Sequence, residues 1–184
     1  RKRVRLELLG LFGAILFVAE DKHLPEAFLR TTCRCTDAKD RSGVAYLRTA
    51  FCDADGRELT YRKRYGKKEF RWKTGSSAVM YGLWLLERAR ELGWVALVEG
   101  ESDTQSLWYM GLPAIGVPGA ATFRANSVPM FSGMRLYIHK EPDQGGETFV
   151  KKTIKELSDG GFSGEVYTWS CIDMGVKDPS DLLI

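Results

Sequence analysis

Two acidic clusters each close an apolar run. The first is Trp94-Val95-Ala96-Leu97-Val98-Glu99-Gly100-Glu101-Ser102-Asp103. The second is Leu136-Tyr137-Ile138-His139-Lys140-Glu141-Pro142-Asp143-Gln144-Gly145-Gly146. An apolar run ending in carboxylates and a glycine reads as a buried parallel strand that hands acids to the loop at its C-terminal end. Two such strands side by side concentrate negative charge in one crevice. Like charges that close repel, so the crevice needs protons or a bound cation. Hard carboxylate oxygens favour Mg²⁺ or Mn²⁺, which points towards phosphate chemistry.

Each cluster alone also has a plainer reading. Glu99 is then an exposed strand-end acid, Glu101 a solvated one and Asp103 the cap of the next helix. Glu141-Pro142-Asp143 is then a polar turn capping a helix. On the functional side, acids two apart on an extended segment point the same way, and Pro142 stiffens that spacing. Gly100 lets backbone approach a ligand, and Gly145-Gly146 opens a helix whose N-terminus favours anions. His139 is read as a strand-end residue rather than a metal ligand.

The elements that position these acids alternate. Leu83 to Leu92 reads as a helix closed by Gly93 and Val95 to Val98 as a strand. A helix follows from about Asp103 to Met110, then a short strand at Pro113 to Val117. Leu136 to His139 is a strand, Glu147 to Leu157 a helix and Gly164 to Trp169 a further strand. Such alternation gives a parallel sheet with right-handed crossovers. Upstream the rhythm differs. Leu8 to Glu20 and Leu24 to Arg30 read as helices. Val44 to Phe51, Glu58 to Tyr65 and Glu69 to Trp72 read as strands joined by turns at Asp53 to Gly56 and Gly66 to Lys68. The boundary between the two parts falls near Gly75 to Tyr81.

The 184 residues are 44% hydrophobic and 28% charged, ordinary for a globular protein with one substantial domain or one domain plus a small one. A net charge of +3 does not by itself establish a nucleic-acid partner, but its distribution is uneven. Arg62, Lys63, Arg64, Lys67, Lys68, Arg71 and Lys73 gather on the upstream strands, interleaved with Tyr61, Tyr65, Phe70 and Trp72. Each alone is a solvated surface charge; together they suit a single-stranded polyanion whose bases stack on rings. Cys33, Cys35, Cys52 and Cys171 do not space as a disulfide framework. Cys33, Cys35 and Cys52 with His23 fit no common zinc motif, so reduced structural thiols are expected and no zinc. The basic start and apolar Leu8 to Ala19 superficially resemble a signal peptide. Glu20-Asp21-Lys22 replaces a small-residue cleavage site, and the run is too short to span a bilayer. A packed helix is expected instead. With no initiator Met, the chain is expected to be a fragment of something longer.

The two acidic motifs in this order, on successive strands, resemble the Toprim domain of topoisomerases and primases. That family's pattern is a strand ending in Glu-Gly, then a strand ending in Asp-x-Asp-x-x-Gly. Leu112 to Ala120 lies between them as in primase-type members. Gly175-Val176-Lys177-Asp178-Pro179-Ser180-Asp181-Leu182-Leu183 is similar to the Lys-Asp-x-x-Asp-Leu ending of primases and Twinkle-like primase-helicases. Asp55-Gly56-Arg57 through Arg64, Phe70 to Lys73 and Met80-Tyr81-Gly82-Leu83 resemble the basic subdomain that precedes Toprim in bacterial-type primases. The arrangement looks closest to primase-like proteins of phages and plasmids.

The resemblance implies a Toprim, Rossmann-like parallel sheet flanked by helices (residues 81–184), preceded by a small antiparallel α+β basic subdomain (residues 1–80). It implies a DNA primase core that uses Mg²⁺ or Mn²⁺ to make RNA primers in DNA replication. Glu99, Glu141 and Asp143 become the catalytic, metal-binding acids, with Asp103 a further metal candidate. Arg62, Lys63, Arg64, Lys67, Lys68, Lys73 and Lys177 become contacts to nucleic acid or nucleotide. The implied partners are a single-stranded DNA template, ribonucleoside triphosphates and a replicative helicase in cis or in trans. No membrane is implied and the location is cytoplasmic. The alternatives are a Toprim nuclease and a non-catalytic nucleic-acid-binding module. Tyr81 invites a topoisomerase reading, but such enzymes supply that tyrosine from a separate domain, so Tyr81 is expected to pack. Two features depart from the pattern. Glu141 stands where the family has Asp, which moves the carboxylate by about 1.5 Å, the length of one C–C bond. No zinc ribbon of the kind that precedes primase cores is found.

Overall fold

Val95 to Val98 is an unbroken apolar run with every residue buried. A strand can be apolar on both sides only if both of its faces are covered, the condition of a parallel sheet interior. The computed structural model describes residues 13–119 and 121–184. The chain divides into two compact units, residues 13–51 with 58–77, and residues 52–57 with 78–183.

The second unit is an α/β sheet. Strands β5 (Trp94–Val98), β6 (Ala114–Gly116), β7 (Arg135–His139) and β8 (Val166–Trp169) are all parallel, in the order β6-β5-β7-β8. From β5 the chain crosses through helix α4 (Glu101–Tyr109) to β6 on one side. From β7 it crosses through α5 (Gln144–Asp159) to β8 on the other. Strand order therefore reverses between β5 and β7, which is where open α/β sheets leave a crevice beyond the carboxyl ends of the strands. Right-handed crossovers in opposite directions place α4 and α5 on opposite faces. Side-chain packing agrees. Val95, Leu97, Leu136 and Ile138 join Phe149, Val150 and Leu157 of α5 and Leu86 and Ala89 of α3 (Leu86–Leu92) in one core. Ala96, Val98 and Ala114 join Leu107 of α4 in another. A 3₁₀ turn, Leu83–Leu85, leads into α3, and α4 and α5 start two to three residues earlier than the sequence suggests.

The first unit holds α1 (Ala14–Lys22), α2 (Glu26–Thr31) and an antiparallel sheet, β1-β2-β3-β4, formed by Cys35–Lys39, Ala45–Cys52, Glu58–Tyr65 and Glu69–Trp72. Residues 8–12 of the helix expected from the sequence lie outside the described residues. Strand β1 was not expected. Its sequence, Cys-Thr-Asp-Ala-Lys, has little β propensity; it forms because pairing with β2, from Cys35 opposite Thr49 to Lys39 opposite Ala45, gives the sheet a charged, short edge.

Behind this sheet, α1 meets β3 through an ion pair. Arg64 Nη2 donates to Asp21 Oδ2 at 3.1 Å, with side chains only 7% and 9% exposed. Arg64 Nε also donates to the Gly66 carbonyl at 2.9 Å, and Lys67 reaches the other Asp21 oxygen. Burial works to raise the Asp21 pKa; the Lys67 hydrogen bond and the Arg64 charge overcome it and hold the carboxyl below its usual range. Removing one partner of a buried pair strands the other charge. Asp21→Ala is expected to lower unfolding free energy by about 3 kcal/mol in urea titrations. Asp21→Ala combined with Arg64→Met should recover part of that loss; equal losses in the two variants would show that the pair is not what holds α1 there.

Candidate functional site

Glu99 leaves β5 at its carboxyl end, and Glu141 leaves β7 two residues beyond His139. Because β5 and β7 are adjacent and in register from Trp94 opposite Arg135 to Leu97 opposite Ile138, their ends deliver both acids to the switch-point crevice. The pKa of Glu99 is raised, first by burial and then by the negative charges of Glu141 and Asp143. The three acids named from the sequence therefore share one electrostatic neighbourhood.

Two glycines shape it. Gly100 adopts φ +82°, a left-handed conformation that turns the chain from β5 into α4. Gly146 is needed for space. A Cβ there would lie 2.3 Å from the Glu141 carbonyl oxygen and 2.6 Å from its nitrogen. The first turn of α5 thus sits directly against the backbone of Glu141, which accounts for a glycine three residues after Asp143.

Asp143 caps α5, its Oδ1 accepting the Gly146 N–H at 2.9 Å. That hydrogen bond, ahead of the Lys177 charge, holds its carboxyl below the usual range. The cap commits only one of its oxygens. Oδ2 faces Lys177 Nζ at 3.8 Å, and the same Nζ lies 2.6 Å from Glu141 Oε2. Glu141 and Asp143 border a cleft of about 490 Å³ lined also by Lys140, Gln144, Glu147 and Ser170.

Asp103 is differently engaged. It is the third residue of α4 rather than its cap, which is Gly100. It is buried, and its Oδ1 accepts the backbone N–H of Ser180 at 3.2 Å. Its role in the structure is to dock the 3₁₀ turn Pro179–Leu183 on α4. Asp178 closes that turn, accepting from the Ser180 hydroxyl at 2.8 Å and the Asp181 N–H at 3.1 Å. The Lys-Asp ending is thereby fixed where Lys177 reaches the acids. Asp178 itself was not singled out from sequence, although it lies in the quoted ending. Its negative charge acts on Lys177, His139 and Cys171, so it belongs to the same neighbourhood.

Among the described residues, no group of three or more His, Cys, Asp or Glu side chains converges in metal-ligand geometry. The charge and chemistry of the donors nevertheless suit a hard divalent cation. Glu99 is held back from ionising by burial and then by the charges of Glu141 and Asp143, and a cation, the Lys177 ammonium, already lies against those two acids. All four cysteines are buried free thiols, and burial pushes the Cys171 thiol up to about 11. Tyr81 is 0% exposed, its hydroxyl bonded to Gln105 Nε2 and its ring packed on Trp84 and Trp108. A phenol so enclosed has no access to a DNA phosphate.

In the first unit, the basic residues divide by the period of two along a strand. On one face of the antiparallel sheet, Lys63 lies 5.1 Å from the Tyr46 ring, Arg71 5.0 Å from Tyr65, and Arg48 and Lys73 4.3 and 5.8 Å from Tyr61. On the other face, Arg62 lies over Phe70 and Trp72 and Arg64 is the buried partner of Asp21. Arg64 and Lys67, both expected from the sequence as nucleic-acid contacts, are thus paired with the same Asp21. Lys68 is exposed in the β3–β4 turn. Alternation along β2 and β4 places Arg48 and Arg71 on the same face as Lys63.

No family model matches the chain. A stretch of 94 residues is 31% identical to the Gene 57 protein of Mycobacterium phage D29, covering 50% of this chain and 60% of that protein. The RNA polymerase domain of Mycobacterium tuberculosis primase DnaG matches with a TM-score of 0.70 at 16% identity, over 92% of this chain and 71% of that one. The primase fragment of the bacteriophage T7 primase-helicase protein gives 0.63 at 18%, over 88% and 66%. A DnaG primase catalytic domain bound to single-stranded DNA gives 0.58 at 15%, over 80% and 53%. The fold is that of a primase catalytic core. The chain spans 60% of the phage relative's length and 66% of the T7 fragment's. Within the primase fold, the parallel sheet and the antiparallel sheet are the two parts anticipated from the motifs. No helix among the described residues is long and apolar enough to cross a membrane.

His139 gives this unit a pH dependence. It is 1% exposed, packed on Trp169 at 4.6 Å, and its pKa is lowered to about 4, chiefly by burial. Between the unfolded value near 6.5 and about 4, the unfolded chain takes up a proton that the folded chain refuses. His139 therefore lowers stability as pH falls through that window. Glu99, with a raised pKa, works the other way: it lowers stability as pH rises above its unfolded value of 4.5. Comparing variants separates them. Melting curves from pH 7 to 4.5 should show a steeper fall for the unmodified protein than for His139→Asn; parallel profiles would exclude a buried neutral imidazole.

Proposed function

We propose that this chain is the catalytic core of a DNA primase, joining ribonucleotides on a single-stranded DNA template. The observation that carries the reading is the gathering of Glu99, Glu141 and Asp143 at the switch point of a sheet whose fold is shared with primase cores. Glu99, Glu141 and Asp143 are the residues that would hold Mg²⁺ or Mn²⁺. Such a cation lowers the pKa of a 3′-hydroxyl and neutralises charge developing on a triphosphate.

The chain's own residues supply the rest. Asp143 is locked by its cap to Gly146, so its second oxygen points into the crevice without conformational search. Half-buried Glu99 sits where its proton affinity is raised, which suits an acid that alternates between binding a cation and holding a proton. Lys177, on a half-exposed side chain, can turn from the acids to a phosphate oxygen. Lys63, Lys73, Arg48 and Arg71, stacked on tyrosines, offer a single strand both charge and rings. That a DnaG catalytic domain has been seen with single-stranded DNA, and that the T7 fragment comes from a primase-helicase, supports template and helicase as partners.

Glu99→Gln and Asp143→Asn should each cut metal-dependent incorporation of ribonucleotides by two to three orders of magnitude, the scale of losing one electrostatic contact to the transition state. Asn still caps a helix, so the second variant should melt close to the unmodified protein. Nicking of DNA that needs the same acids would favour the nuclease; no turnover on any template would leave a binding module.

For the basic face, Lys63→Ala with Lys73→Ala should weaken single-stranded DNA binding. The slope of log affinity against log salt should shrink by roughly 1.4, about 0.7 per lost phosphate contact on a single strand. An unchanged slope would remove this face from the template path.

A further inference from the structure

We propose that Lys177 is a built-in counter-ion of the acid crevice, which a divalent cation displaces on loading and which is then freed to face the triphosphate. The inference rests on the primase reading of the site. Its basis is which oxygens Lys177 touches. Asp143 Oδ1 is committed to the Gly146 N–H, leaving Oδ2 as the oxygen open to a cation. Lys177 Nζ faces that Oδ2 at 3.8 Å and Glu141 Oε2 at 2.6 Å. A small divalent ion takes oxygens at about 2.0–2.1 Å, so one bound to these carboxylates would lie close to the ammonium that Glu141 Oε2 already holds. The two cations repel, and loading the divalent ion favours departure of the lysine.

The structure lets the lysine leave. The Glu141 side chain is 16% exposed and that of Lys177 51%, so the acid is held and the cation has solvent on one side. The backbone beneath Lys177 is fixed, because Asp178 caps the following turn and the Ser180 N–H is bonded to buried Asp103. The anchor stays while four methylenes swing. Glu141 is also the acid with one methylene more than the family pattern, and it is the one Lys177 bonds closely. Without the lysine, three carboxylates would face one another uncompensated whenever no divalent ion is bound. With it, the crevice folds without metal and surrenders its counter-ion only to a more highly charged one.

The test is direct Mn²⁺ binding, by calorimetry and by the spin-resonance signal of free Mn²⁺, on the whole chain. Lys177→Met should bind Mn²⁺ about tenfold more tightly, the scale of one partly screened charge. Lys177→Arg, which keeps the charge, should bind as the unmodified protein does. In parallel, acetylation of Lys177 by an amine-reactive reagent, read by mass spectrometry against exposed Lys151 and Lys152, should speed up severalfold when Mn²⁺ is added. Equal Mn²⁺ affinity in the Met variant, or Lys177 reactivity indifferent to Mn²⁺, would overturn the proposal while leaving the primase reading intact if Glu99→Gln and Asp143→Asn still lose Mn²⁺. Failure of the unmodified protein and every variant to bind Mn²⁺ would overturn both.

Discussion

The second unit is organised around an electrostatic conflict created by its topology. Crossing left from β5 and right from β7 puts the ends of two adjacent parallel strands side by side with no connection between them. Each end carries a carboxylate into that gap, and a third follows two residues later. Burial raises the proton affinity of Glu99, and the negative charges of Glu141 and Asp143 raise it further. A fold that tolerates this must supply compensation. Here it comes from the C-terminal segment: the N–H of Ser180 is tied to Asp103 on α4, and Lys177 is brought over Glu141 and Asp143.

That segment explains why several polar groups are buried so near the crevice. Asp103, Ser180 and His139 are each almost without solvent. Asp103 accepts the Ser180 N–H, so neither is stranded. His139 is accommodated instead by staying neutral under Trp169. Acids that chemistry would use thus stand at the surface of a polar layer whose own members are mostly satisfied. Asp103 gives its Oδ1 to the Ser180 N–H and Asp143 its Oδ1 to the Gly146 N–H, while Asp143 Oδ2 faces Lys177.

How much of this is legible in the sequence depends on the range of the interaction. The parallel strands announce themselves as continuous apolar runs, and the acids at their ends need only local order to be recognised. The antiparallel sheet was partly legible, through its turns and alternating strands. Strand β1 was not, because Asp37, Ala38 and Lys39 disfavour a strand and the strand is held by its partner 14 residues downstream, Cys35 opposite Thr49. The pairing of Arg64 is hidden for a similar reason. Its partner, Asp21, lies 43 residues earlier on a helix. Period-two alternation alone separates Arg62 and Arg64 from Lys63 and Tyr65, yet it cannot say which face is covered; only the helix that covers it does. The cap that Asp143 makes and the reach of Lys177 belong to the same class: the residues were visible, their mutual geometry was not.

Glycine at 146 ties the local and the long-range arguments together. Because the first turn of α5 is pressed against the backbone of Glu141, the two acids of the second motif cannot move independently: Asp143 is fixed by capping that same turn, and Glu141 is fixed by lying beneath it. A longer side chain at 141 therefore cannot be accommodated by shifting its backbone outward. The extra methylene must be taken up by the side chain, which extends towards Lys177 instead of drawing back towards the β7 strand end. A substitution that looks at first like a decayed motif then has a physical consequence specific to this chain. It lengthens the arm that pairs with Lys177 while leaving the backbone at Glu141 set by the helix.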